Sequence, residues 1–191
     1  MIDLRTLGAV DLRDGGGREI RDILAQPKRL AVLIYLAVAR PGGFHRRDTL
    51  LGLFWPELDQ ARARAALRKV VLFLRRGLGA GALPGRGDEE LGLSAEVVAC
   101  DAVAFEGAVA GRRFSEALDL YRGDLLEGFF VAGAPEFERW VERERARLRQ
   151  RAAGAAWALA EEAASTRGTR EDHVVRSAAS ARRPRPAGWW S

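Results

Sequence analysis

The sequence predicts an α+β N-terminal half followed by an all-α half, and three observations carry that prediction. Short apolar stretches broken by glycine open the chain and recur near residue 85, which is strand-and-turn patterning. Between them, from Pro27 to Leu78, apolar residues recur at helical spacing. From about Asp101 only the helical period remains, which places the break between the halves at residue 97. A chain of 191 residues has room for two small domains, and 48% apolar with 30% charged residues is the balance of a folded globular protein.

Taken in order, Leu4, Leu7, Val10 and Leu12 are interrupted by Gly8 and then by Asp14-Gly15-Gly16-Gly17, so a small antiparallel sheet is expected first. Pro27 opens KRLAVLIYLAVAR, apolar almost all round, and Pro41-Gly42-Gly43 closes it: a buried helix with proline in its first turn. A shorter helix runs from about Arg47 to Trp55 and stops at Pro56. Asp59 then caps a third helix carrying Leu67, Val70, Val71, Leu74 and Leu78 at steps of three and four, ended by Gly77 and Gly79. Two helices joined by a tight turn make a helix-turn-helix. Behind it, Leu83-Pro84-Gly85-Arg86-Gly87-Asp88 and Leu91-Gly92-Leu93 read as a hairpin, completing a winged helix-turn-helix over residues 1–97.

Beyond the break, Gly111 and Gly123 mark short connections, and Phe114 to Tyr121 has the small-residue and tyrosine spacing of tetratricopeptide-like helical hairpins. A long helix starts at Pro135 and sets Phe137, Trp140, Val141, Leu148, Ala152, Trp157 and Leu159 largely along one side, so both tryptophans are expected to pack. Residues 98–166 thus form an all-α tetratricopeptide-like helical domain, incomplete because the second hairpin that a repeat needs does not follow. After about Ser165 the periodicity collapses, and residues 167–191 read as a basic, disordered tail. Two origins stay open for that tail: a truncated or frame-shifted product, and a short nucleic-acid-binding extension.

The net charge of +5 is unevenly spread: +4 over residues 1–97, −3 over residues 98–166 and +4 over residues 167–191. With about 100° per residue, the third helix turns Leu67, Leu74 and Leu78 inward and Arg62, Ala65, Lys69, Leu72 and Arg76 outward, with Arg64, Arg68 and Arg75 on its flank. Beside these six cations stands one acid, Asp59, whereas an ordinary solvated helix alternates its signs. A one-signed helix of this kind suits the major groove of duplex DNA. The expected roles are base or groove-edge contact for Arg62, Lys69 and Arg76, phosphate contact for Arg64, Arg68 and Arg75, and an adjacent minor groove for Arg86 in the hairpin. Ala65 leaves room for close approach, and Leu72 and Phe73 fit this surface less well.

The segments KRLAVLIYLAVARPGGFHRRDTLLGLFWPE and ARAALRKVVLFLRRGLG resemble the response-regulator type of winged helix, and CDAVAFEGAVAGRRFSEALDLYRGDLLEGFFV resembles the bacterial transcriptional activator domain. Together, over about residues 3 to 165, they resemble the antibiotic-regulatory-protein class of activators. That resemblance implies a sequence-specific transcription regulator that binds promoter repeats on double-stranded DNA, as a homodimer on DNA, and contacts RNA polymerase. Phe73 departs from the polar residue expected there, and no receiver domain precedes the winged helix to imply control by an aspartyl phosphate. The alternative is a helical protein-protein adaptor without DNA binding.

Other chemistry is disfavoured. His45-Arg46-Arg47-Asp48 lacks the spacing and companions of a kinase loop, and Gly15-Gly16-Gly17 lacks the strand, helix and acid of a dinucleotide site. His45 and His173 have no cysteine or carboxylate cluster at ligand spacing, and Cys100 stands alone, so neither metal nor disulfide is expected. No enzyme and no cofactor are expected. With no apolar run near the roughly 18 residues of a membrane span and no secretion signal, the reading is a cytoplasmic protein without membrane contact.

Overall fold

The computed structural model describes the chain as far as Ala181, with side chains as far as Ser165. It is an α+β protein. Strands β1 (Ile2–Arg5) and β2 (Asp11–Arg13) form the expected antiparallel pair, with Leu4 opposite Leu12. A short α1 (Arg21–Leu24) precedes α2 (Pro27–Val38), which begins on its proline and buries eight of its twelve residues. Then come β3 (Phe44–Arg46), α3 (Arg47–Phe54) and α4 (Gln60–Leu78). Strands β4 (Gly85–Arg86) and β5 (Glu90–Gly92) form the expected hairpin, and β6 (Val98–Cys100) leads into α5 (Asp101–Ala110), α6 (Phe114–Leu120) and α7 (Pro135–Ala181).

The strands make two three-stranded sheets, in the orders β2-β1-β6 and β3-β5-β4. Sequence reading missed α1, β3 and β6, each only three or four residues long and too short to show a period. Residues 98–100, on the helical side of the sequence boundary, run parallel to β1 with Leu4 opposite Cys100. The expected tail is described as the helical backbone of α7 through Ala181, and residues 182–191 lie outside the described residues.

The helical half is joined to the first sheet by polar contacts that no local pattern announces. At the start of α5 the Asp101 carboxylate accepts hydrogen bonds from the Thr6 amide (2.8 Å), the Thr6 hydroxyl (2.7 Å), the Leu7 amide (3.0 Å) and the Ala102 amide (2.7 Å). Thr6 is wholly buried, so Asp101 satisfies donors that would otherwise stand unpaired. The Gly8 amide donates to the Asp124 carbonyl (2.9 Å) and the Glu127 amide to the Gly8 carbonyl (3.0 Å). Gly8 takes φ +97°, and a Cβ on Gly123 would lie 3.0 Å from the Gly8 Cα, so this close crossing needs glycine on both sides. Cys100 is buried beside Asp101, and its thiol is pushed up to about 11, which leaves little thiolate at neutral pH.

Aromatic rings form the other junction. Phe137 and Trp140, one turn apart on α7, meet Phe54 of α3 at 5.1 Å and Tyr35 of α2 at 4.9 Å between ring centroids. Trp157, expected to pack, is instead 70% exposed, and its Nε1 donates to Glu161 at 2.8 Å. At about 100° per residue it points roughly 200° away from Ala155, two residues earlier, and Ala155 is on the buried line with Phe137, Val141, Leu148 and Ala152.

His45 is enclosed in the same region, 5.3 Å from the Tyr35 ring, with its Nε2 buried and unpartnered among the described residues. Burial lowers its pKa below the ordinary histidine value. The neutral form therefore belongs to the folded state. Its contribution is complete above the unfolded value near 6.5 and is lost as pH falls through the lowered folded-state value. The urea midpoint is expected to drop between pH 7.5 and 5.0, and H45F is expected to flatten that dependence; an equal drop in the variant would assign the effect to other groups.

Candidate nucleic-acid interface

Helix α4 is fixed at both ends. The Asp59 carboxylate accepts from the Arg62 amide at 2.9 Å, as an N-cap should, and Gly79 at φ +101° ends the helix. Ala63, Leu67, Val70, Val71, Leu74 and Leu78 are buried beneath it, where α4 packs against α1, α2 and α3. A Cβ on Gly77 would meet the Ile23 side chain at 2.9 Å, so this glycine permits close packing on α1 rather than ending the helix early. The underside fixes which residues face out, and apart from Ala65 they are those expected from the period.

The helix itself contains six basic residues and no acidic one. Arg62, Arg64, Arg68, Lys69, Leu72 and Arg76 are exposed, and Ala65 is half-buried. Arg68, Lys69 and Arg76 form no ion pair or hydrogen bond among the described residues. Arg62 sits 3.2 Å from Asp59, and Arg64 reaches back to Asp48 of α3 at 3.5 Å. Both pairs are solvent-exposed, where an ion pair contributes little and yields readily to a competing anion.

Two of the predicted residues are placed differently from the rest. Arg75 is half-buried, and its Nε and Nη2 donate to the Leu83 carbonyl at 3.2 and 2.6 Å, which ties the end of α4 to the approach of the β4–β5 hairpin. Arg86 is on that hairpin, with its guanidinium 4.3 Å from the centre of the Phe44 ring and 3.5 Å from the Glu90 carboxylate. Asp88 and Glu89 are exposed at the hairpin turn, so Arg86 does not stand in a cationic surface of its own. The structure therefore gathers Arg62, Arg64, Arg68, Lys69 and Arg76 on one open helix and sets Arg75 and Arg86 at the hairpin.

Phe73, the residue that fitted least, is half-buried against the core, with the Arg29 guanidinium of α2 4.1 Å from its ring centre. Sequence reasoning missed this partner because cation–π contacts across elements leave no local spacing. Leu72 is 51% exposed in the middle of the cationic surface. Among the described residues no group of histidine, cysteine, aspartate and glutamate could hold a metal ion, and no helix is long and apolar enough to cross a membrane.

Residues 93–187 match the family model for the bacterial transcriptional activator domain. The fold is similar to a solved structure described as Mycobacterium tuberculosis EmbR in complex with a low-affinity phosphopeptide. That similarity has a TM-score of 0.51 at 23% identity over 85% of this chain and 47% of the other. The chain therefore spans about half the length of that protein. No protein with a curated description matches the chain in sequence.

Proposed function

Because this chain carries a bacterial transcriptional activator domain, as a SARP-like activator does, we propose that its N-terminal half is a winged helix that binds duplex DNA through α4. One observation supports this most: a helix with six basic and no acidic residues, its apolar side buried and Arg68, Lys69 and Arg76 open to solvent. Lys69, Arg76 and Arg62 reach base edges or groove-edge phosphates, and Arg68 and Arg64 hold the backbone. Arg75 keeps the hairpin in register with the helix, and Arg86 meets phosphate or minor groove beside it. The helical half, more acidic than the N-terminal half, is the surface offered to RNA polymerase, with two copies on paired promoter repeats. No catalytic role is assigned to the chain.

Selection of bound fragments from a genomic or random duplex pool tests this reading. A recovered motif with repeated half-sites is expected. Four phosphate contacts make log affinity fall with log salt at a slope of about −3.6. Failure to retain any duplex would leave the helical adaptor as the function, and a slope near zero would remove the phosphate contacts.

A further inference from the structure

A cavity of about 670 Å³ opens where the end of α2 meets β6, α5 and α7. Its volume is in the range of small-molecule sites, and it is at the seam between the two halves of the chain. The walls are mostly apolar: Leu36 and Val38 from α2, Leu93 from the segment after β5, Val103 from α5 and Leu148 from α7. Val103 is 51% exposed there, although it is on a helix whose other side is packed into the core.

The charged groups on the lining are Arg40, Glu106, Arg147 and Arg151, three cations and one anion. Glu106 is shared among all three guanidiniums, at 2.8 Å from Arg40, 2.8 Å from Arg147 and 3.6 Å from Arg151. Arg147 also pairs with Glu144 at 2.8 Å, outside the lining, so the group as a whole keeps one positive charge in excess. Arg151 holds that excess least satisfied. Its Nε, 3.6 Å from the Glu106 carboxylate in the longest of the three contacts, is buried without a hydrogen-bond partner among the described residues, and the side chain as a whole is 40% exposed. A weakly paired, partly exposed guanidinium at the edge of an apolar cavity favours an anionic acceptor.

We propose that this cavity is a binding site for a small apolar monocarboxylate. Its hydrocarbon or aromatic body occupies the space between Val103, Leu36 and Leu148, and its carboxylate accepts from Arg151 and Arg40. The site is independent of the DNA-binding reading, because no residue of α4 lines it.

Titration calorimetry on the full chain with 4-phenylbutyrate tests the proposal, with 4-phenylbutyramide as the uncharged counterpart. A saturable one-site titration is expected for the acid, with the amide about tenfold weaker, the scale of one charge-assisted hydrogen bond. R151Q should bring the acid down to the amide's affinity. V103W, at an exposed position where the core is not disturbed, should block both ligands; circular dichroism checks that each variant is folded. No saturable titration, or one that V103W leaves unchanged, overturns the site. Equal binding of acid and amide overturns the assigned ligand class.

Discussion

Replacing Arg68 and Lys69 together by glutamate is expected to lower affinity for every duplex by about a hundredfold, with the unfolding free energy changed by no more than about a few tenths of a kcal/mol. On the proposed reading each cation would supply a charge-assisted hydrogen bond to DNA of about 1.5 kcal/mol or more, so removing two would account for roughly two decades, and two new anions beside phosphates would oppose approach further. The fold is spared because both side chains are exposed and unpartnered among the described residues. Alanine variants separate the roles. R68A should weaken all sequences alike and reduce the salt slope by about one, and K69A should also change which sequences are preferred. Equal losses on all sequences for both would remove base contact from Lys69. A double glutamate variant that binds as the parent does would remove α4 from the interface.

The second large effect is on stability. F137A is expected to cost about 3–5 kcal/mol in urea denaturation, because it removes a fully buried ring. The loss is shared between the halves: Phe137 touches Phe54 of α3 at 5.1 Å and its own neighbour Trp140 at 5.5 Å, and Trp140 in turn meets Tyr35 of α2. A single transition at lower urea is therefore expected, followed equally by circular dichroism and tryptophan fluorescence. Two separated transitions in the parent protein would show instead that the halves unfold independently.

The difference between these predictions marks how far the sequence could be read. The third helix was legible almost to the residue, because a 3.6-residue period with a polar cap and a terminal glycine is a local pattern. Asp59, Leu67, Leu74 and Gly79 stand where that pattern put them. What joins the halves was not legible. Asp101 binding Thr6 and Leu7, Gly8 crossing Gly123, and Phe54 against Phe137 pair residues about 80 to 115 positions apart, and nothing in the local spacing of either partner specifies the other. Trp157 failed for a different reason. At about 100° per residue the 20 residues from Phe137 carry it roughly 200° round the helix, to the exposed side, whereas Ala155, 18 residues on, returns to the buried line.

In the candidate site the same division holds. Exposure of Arg62, Arg64, Arg68, Lys69 and Arg76 follows from the period. The engagement of Arg75 with the Leu83 carbonyl, and of Arg29 with Phe73, depends on tertiary neighbours that the period does not contain. Arg86 was legible as a hairpin residue, but the acids Asp88 and Glu89 beside it reduce what it can offer to phosphate.

Photo-crosslinking from position 72 tests the central claim most directly, because Leu72 is half exposed at the middle of the cationic helix and has no polar bond to lose. With a benzoylphenylalanine there and a duplex recovered by selection, the account predicts a crosslink to bases within the bound half-site, absent when the same probe replaces Phe130 in the helical half. Crosslinking from position 130 and none from position 72 would contradict it.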